Sequence, residues 1–232
     1  MMAAIMQPYF FPYIGYFQLI ARADVFVFYD DVQYMKGGWI NRNRIRRDGV
    51  ASWLTLPVQS GSLSDKISDR SYRDSGDAAK ILRQVEEAYR KAPRFGQIFP
   101  LIQDIMAFED ANVAAFNINL LTRLASHLNL KTRLIRSSDI PKVESLAGQD
   151  RVIDICTRLG ATHYVNAIGG RDLYQKAAFA SAGLDLSFLQ SNAAPLPDGE
   201  AAPYLSIIDT LMLSTDTQLQ AALANFRLLP AP

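Results

Sequence analysis

Carboxamide, carboxylate and phenol side chains crowd the first fifty positions of this sequence, and they define the chemistry within its reach. Residues 6–16, MQPYFFPYIGY, set Gln7, Tyr9, Tyr13 and Tyr16 among Pro8, Pro12 and Gly15. The prolines pre-set the backbone and Gly15 permits close approach at a helix start, which is more than a plain connector needs. Tyr9, Phe10, Phe11 and Tyr13 can stack on a ligand ring or fill a core. Asp30 and Asp31 follow, with Gln33 close behind. A carboxylate here could hold a ribose hydroxyl, meet a metal-bound phosphate or take a proton, or serve as a solvated turn residue. Adjacent residues of an extended chain face opposite ways, so at most one of the two need meet a ligand. Gln7, Tyr16, Asp30 and Asp31 form the candidate catalytic set.

The next cluster is KGGWINRNRIRR, which places five basic side chains between Lys36 and Arg47. Strand alternation assigns Trp39, Asn41, Asn43 and Ile45 to one face and Ile40, Arg42, Arg44 and Arg46 to the other. A guanidinium face suits phosphate or carboxylate. Lys36, Trp39, Asn41, Arg42 and Asn43 therefore join Tyr9, Pro12, Gly15 and Gln33 as candidate binding residues. Farther on, Arg136 and Ser137 in RSSD and Asn166, Gly169 and Gly170 in NAIGGR stand where strands are expected to end. Hydroxyls, Arg and glycine-freed amides there can grip an anion, although Ser and Asp also begin helices and two glycines are a small signal.

These groups need elements that bring them to one edge. Residues 3–6 read as a buried strand, 16–23 as a helix and 25–29 as a second strand, the opening of a parallel βαβ unit. WINRNRIRR and SWLTLPV flank Asp48-Gly49, a hairpin turn dipeptide. Residues 61–75 read as an irregular polar loop. Apolar spacing of three and four predicts helices over 77–91, 95–107 and 110–128, with Asp110 capping the last and Asn129 ending it. Alternation then resumes, with strands at 132–136, 163–166 and 184–189 and helices at 150–159 and 173–182. A Pro-rich loop, SNAAPLPDGEAAP, precedes helices around 205–213 and 218–226. The expected fold is a single α/β domain, Rossmann-like, with a mainly parallel sheet of about five strands. Residues 36–130 form a hairpin plus helical insertion. In such sheets ligands bind outside the carboxyl ends of the strands, where the candidate residues fall.

Bulk properties narrow the function classes. A formal net charge of +1 across 232 residues recruits the chain to neither nucleic acid nor an anionic membrane, and the hairpin alone is too short a basic track for nucleic acid. No apolar run reaches the length of a membrane span and the first residues lack the build of a secretory signal, so a cytoplasmic protein is expected. One cysteine, Cys156, and two histidines, His127 and His163, leave too few ligands for a structural zinc site, and no metal is predicted. Cys156 lies on the apolar side of its helix and reads as a buried thiol; His163 begins a strand and reads as structural.

QPYFFPYIGYFQLIARADVFVFYDDVQY, with WINRNRI, WLTLPV, RVIDICTRLGATHY, GGRDLY and LSIID, closely resembles the WbqC-like protein family over nearly the whole chain. The resemblance carries Gln7, Pro8, Pro12, Gly15, Tyr16, Asp30, Asp31, Gln33, Trp39, Asn41, Arg42, Asn43 and Asp209 onto this sequence. It implies a bacterial protein associated with O-antigen, other surface polysaccharide or specialised-metabolite synthesis. The chain departs from the family before LSIID, where SNAAPLPDGEAAPY replaces an aromatic Pro-x-Tyr segment, so the acceptor side of the pocket is expected to differ. The sequence is more distantly similar to nucleotidyltransferases, whose His-x-Gly-His turn follows the first strand. Residues 12–16 occupy that place without either histidine. The resemblance thus implies a transferase acting on an activated sugar or related small molecule, by amide formation from an acyl or aminoacyl thioester or by nucleotidyl transfer, or else a non-catalytic binding protein of a biosynthetic complex. Its partners would be a nucleotide sugar and an acyl carrier protein; the cofactor is unknown from sequence.

Overall fold

The computed structural model describes residues 1–73, 76–192 and 204–232. Apolar alternation at the N-terminus makes β1 (Met2–Met6), helix α1 (Ile14–Arg22) and β2 (Val25–Phe28). β1 and β2 run parallel, with Ala3 opposite Val25 and Met6 opposite Phe28. The hairpin β3 (Arg42–Arg47) and β4 (Val50–Thr55) forms a separate two-stranded sheet. Its turn holds Asp48 at φ 51° and Gly49 at φ 83°, the pair of positive values that the dipeptide supplies. Three helices follow, α2 (Asp77–Tyr89), α3 (Phe95–Met106) and α4 (Val113–His127). The chain then lays down β5 (Arg133–Arg136), α5 (Gly148–Arg158), β6 (His163–Ala167), α6 (Lys176–Ser181) and β7 (Asp185–Ser191). It ends in α7 (Ile207–Leu213), α8 (Asp216–Ala224) and β8 (Phe226–Pro230). No described helix is long and apolar enough to cross a membrane.

The main sheet has the order β5-β2-β1-β6-β7-β8, parallel except for β8. The fold is therefore α/β, Rossmann-like and mainly parallel, with six strands rather than five. The sixth lies where a helix was expected to continue to Phe226. That helix stops at Ala224, and after Asn225 the five residues Phe226–Pro230 pair antiparallel with β7. Smaller differences have local causes. Asn112, not Asp110, caps α4 by accepting from Ala115 N, while Asp110 accepts from Asn112 N one step upstream. Residues 168–173 coil into a 3-10 turn, which delays α6 to Lys176. Residues 61–73 are tied down by a short 3-10 turn at Ile67–Asp69 and by bridges from Lys66 to Gln33 and Tyr72 to Val58. The Pro-rich loop falls mainly on 193–203, outside the described residues.

Both faces of the sheet are covered, and the period of two decides which residue goes where. Met2, Ala4, Phe26, Phe28, Val165 and Leu189 pack beneath α1–α4, α7 and α8. Ala3, Ile5, Val25, Val27, Tyr164 and Phe188 face α5 and α6.

The loop between β1 and α1 is held from every side. Phe10 and Phe11 are fully buried, their rings edge to face at 4.9 Å. Burying that loop removes its carbonyls from water, so each needs a donor. Tyr16 Oη donates to Gln7 O at 2.8 Å, Asn117 Nδ2 to Pro8 O at 2.8 Å and Ile207 N to Pro12 O at 2.9 Å. Asn43 Nδ2 donates to both Phe10 O and Phe11 O, at 3.1 and 2.9 Å. Asn117 also donates to Ile40 O at 2.7 Å and accepts from Tyr72 Oη at 2.9 Å. Asn117→Leu keeps the volume and strands these partners. It is expected to lower stability by about 3 kcal/mol, read as a fall in the urea midpoint; an unchanged midpoint would mean that water replaces the amide.

Candidate functional site

The chain builds outward from β1 to β2 and β5, then returns to lay β6 on the other side of β1. Connections leave in opposite directions at such a reversal, and a crevice opens at the carboxyl ends of the two strands. β1 and β6 are in register only at Met2–His163 and Ala3–Tyr164, whereas β1 and β2 keep four pairs and β6 and β7 five. Gln7 follows the carboxyl end of β1, and Asn166 and Ala167 close β6.

Gln7 uses its backbone carbonyl for Tyr16, and its carboxamide makes no hydrogen bond among the described residues. Asn166 Oδ1 accepts from Ala167 N at 2.7 Å. Its Nδ2 lies against Gly170, where a Cβ would come within 2.7 Å, so glycine makes room for the amide. Gly169 has open space beside it.

Above Gln7, α1 begins without a side-chain cap, Tyr13 standing at the cap position. Gly15 lies under the Tyr13 ring so closely that a Cβ would fall 2.3 Å from it. Tyr13 meets Tyr204 edge to face at 4.9 Å, and Tyr9 lies 5.7 Å from Tyr16. Burial, helped by the Tyr204 and Tyr9 hydroxyls, pushes Tyr13 up to about 12, and burial also raises Tyr9. Both phenols stay protonated near neutral pH and act as donors rather than bases. The tyrosines thus divide from the phenylalanines of the same loop, which are core.

One strand away, Asp30 and Asp31 turn to different partners. Asp30 is buried and accepts from Ser138 N at 3.0 Å and Ser138 Oγ at 2.7 Å. Asp31 Oδ2 pairs with Lys142 Nζ at 2.7 Å and Arg151 Nη2 at 2.8 Å. Burial would raise the Asp31 carboxyl, but Lys142, Ser137 and Arg151 together hold it below its ordinary value. Lys142 is spent on the carbonyls of Ser137 and Ile140 as well. Arg151 lies 5.8 Å from the Tyr29 ring and keeps a buried Nε without a hydrogen-bond partner. Arg136 lines an open groove with Asp139, Ile118 and Thr122 along the outer strand, three strands from β6.

The remaining candidates sit on or under the hairpin. Asn43 is buried beneath the loop, and Asn41 donates to Leu56 O and accepts from Tyr34 Oη. Gln33 donates to Leu63 O, and Lys36 is exposed. Trp39 departs from the expected alternation. The strand starts only at Arg42, so the indole lies beside Trp53 and Arg44 on the guanidinium side. Asp209 ties the hairpin to α7, accepting from Tyr89 Oη at 2.9 Å with Arg46 Nε at 3.6 Å. Burial raises its carboxyl despite both.

In the topology Gln7, Tyr9, Pro12, Gly15 and Tyr16 follow the carboxyl end of β1, Asn166, Gly169 and Gly170 stand at or after that of β6, and Asp30, Asp31 and Ser137 follow β2 and β5. Sequence reasoning missed Lys142, Ser138, Arg151 and Asn117. Arg151 opens the RVIDICTRLGATHY block and Ser138 lies in RSSD, so both carried a signal; Lys142 and Asn117 stand in no motif.

Fold and crevice together define a doubly wound α/β protein with an open switch point. Residues 7–221 match the WbqC-like protein family, and the chain belongs to that family. It is 35% identical over 179 residues to "Uncharacterized protein Rv1507c" of Mycobacterium tuberculosis (strain ATCC 25618 / H37Rv), covering 76% of each chain. No solved structure matches it significantly.

Asp31 gives a pH-dependent test. Its folded value is depressed, so its stabilisation is present above the unfolded carboxyl value of about 3.9 and is lost as pH falls through the folded one. Asp31→Asn leaves two buried cations sharing no carboxylate and is expected to cost about 3 kcal/mol at pH 7. In urea unfolding the gap to the parent protein should shrink progressively below about pH 4. A gap that stays constant would remove the ion pairs from the account.

Proposed function

We propose that this protein is a transferase that forms an amide on an activated sugar or related small molecule, using an acyl or aminoacyl thioester as donor. The observation that supports the reading is a Gln7 carboxamide with no hydrogen bond among the described residues, standing just beyond the carboxyl end of β1 at the switch point between β1 and β6. Amide and phenol donors of this kind orient a substrate and stabilise a developing oxyanion. The acceptor amine attacks the thioester carbonyl, the C–N bond forms, the C–S bond breaks, and the thiolate leaves with the proton that the amine gives up. Gln7 faces the oxyanion, with Tyr9, Tyr13 and Asn166 holding the substrates around it. Asp30 and Asp31 orient neighbouring loops, since both are engaged by protein donors.

The setting is bacterial surface-polysaccharide or specialised-metabolite synthesis in the cytoplasm, with a nucleotide sugar as acceptor and an acyl carrier protein as donor. Nucleotidyl transfer fits less well, because positions 12–16 lack both histidines of that turn and both Asp side chains are buried and bonded to protein groups. One observation favours a binding protein without catalysis, namely that no carboxylate at the edge is left as a base.

The test is incubation with amino-sugar nucleotides and acyl-carrier thioesters, followed by mass spectrometry. The expected result is a new amide, with kcat lowered about a hundredfold in Gln7→Ala and KM little changed. Binding of a nucleotide sugar with no turnover across the donor panel would make the chain a binding protein.

A further inference from the structure

The outer face of the hairpin carries groups that the crevice does not use. Trp39 and Trp53 lie with ring centroids 5.7 Å apart and are 37% and 44% exposed. The Arg42 guanidinium sits 4.4 Å over Trp53, and that of Arg44 lies 5.6 Å from both indoles. These side chains are not what seats the hairpin. Ile45, Leu54 and Asn43, on its other face, are buried and do so. Neither Arg42 nor Arg44 has a carboxylate partner among the described residues, and Arg44 Nε is buried without a hydrogen-bond acceptor. A buried guanidinium nitrogen left unpaired is costly and calls for an acceptor. Exposed indoles beside unneutralised guanidiniums offer a stacking surface and an anion contact in one place.

We propose that this face binds a nucleoside diphosphate, the base stacking on an indole and the phosphates meeting Arg42 and Arg44. The inference rests on the reading of the protein as acting on a nucleotide-activated substrate, and it assigns the nucleotide end of that substrate to the hairpin. Trp39 connects the two regions directly, because its carbonyl accepts from Phe10 N at 2.9 Å within the loop that borders the crevice. Two indoles and two guanidiniums match one nucleotide; a nucleic-acid strand needs a longer basic track.

Trp39 and Trp53 are the only two tryptophans in the chain, so intrinsic tryptophan fluorescence reports on this face alone. Titration with UDP and with ADP should give a saturable change, with calorimetry returning the same affinity. Arg42→Gln/Arg44→Gln, which keeps both indoles, and Trp53→Leu should each weaken binding about tenfold or more. No saturable change with either nucleotide overturns the proposal. So does pyrophosphate or glucose 1-phosphate binding as tightly as UDP, or UDP binding that both variants leave intact. The turnover assay separates the two readings. Amide formation from a nucleotide sugar with a flat titration sinks the hairpin site and leaves the transferase standing. Saturable nucleotide binding without turnover sinks the transferase and leaves the hairpin site standing.

Discussion

The carbonyl groups of residues 7, 8, 10, 11 and 12 leave a strand and enter the interior without a sheet to receive them, and each must find a donor there. The donors come from α1, α4, β3 and α7, elements scattered across the chain. Correct placement of the loop therefore requires most of the fold to be in place. The reverse also holds, since the hairpin and α7 are anchored to the body of the protein through the backbone of this loop. Phe11 is held at φ 40°, a conformation that costs a non-glycine residue about 1 kcal/mol or more, and the paired bonds from Asn43 keep it there.

This constraint explains why residues that resemble catalytic groups are mostly internal. Tyr16, Asn43, Asn117 and Tyr72 direct their polar atoms at the backbone or at each other, and their burial leaves them little access to a ligand. What stays available at the carboxyl edge is neutral: a carboxamide, two protonated phenols and the amides of a helix start. The charged groups of the edge, Asp30, Asp31 and Lys142, are consumed in holding the β2 and β5 loops together. A burial cost as large as that of an ion pair is offset only when the geometry is tight, and the Asp31 contacts at 2.7 and 2.8 Å meet that condition.

Much of the fold could be read from sequence where local chemistry and tertiary context agree. Asp48-Gly49 adopts the two positive φ values that its residue types favour, and β1 and β2 carry unbroken apolar runs. β8 escaped because Phe226–Pro230 holds no turn signal to part it from the helix before it, and its pairing with β7 is long-range. Trp39 was put on the wrong face because alternation was counted from a residue that precedes the strand. Of the candidate residues, Gln7 follows β1, Asn166 lies in β6 and Gly170 just after it, an order that the strand assignments already implied. The internal organisation of the site was not legible. Nothing in the types or spacing of Asp30 and Asp31 tells that Ser138 takes one and Lys142 and Arg151 the other, because those partners lie more than a hundred positions away.

The division of labour between charge and neutral donor bears on what the crevice can recognise. Of the two carboxylates, Asp31 is paired with cations, whereas Asp30 is bonded by the neutral donors of Ser138. Asp31 is shared by Lys142 and Arg151, and Arg151 also lies 3.9 Å from Glu144 and keeps a buried Nε unpaired beside Tyr29. The cations one strand away are therefore matched by carboxylates of the protein, and what the loop itself offers is a set of neutral donors. The same loop that fixes Gln7 also carries Trp39 through a backbone bond. Crevice and hairpin face are therefore positioned by one set of buried hydrogen bonds, and any change that frees those carbonyls disturbs both together.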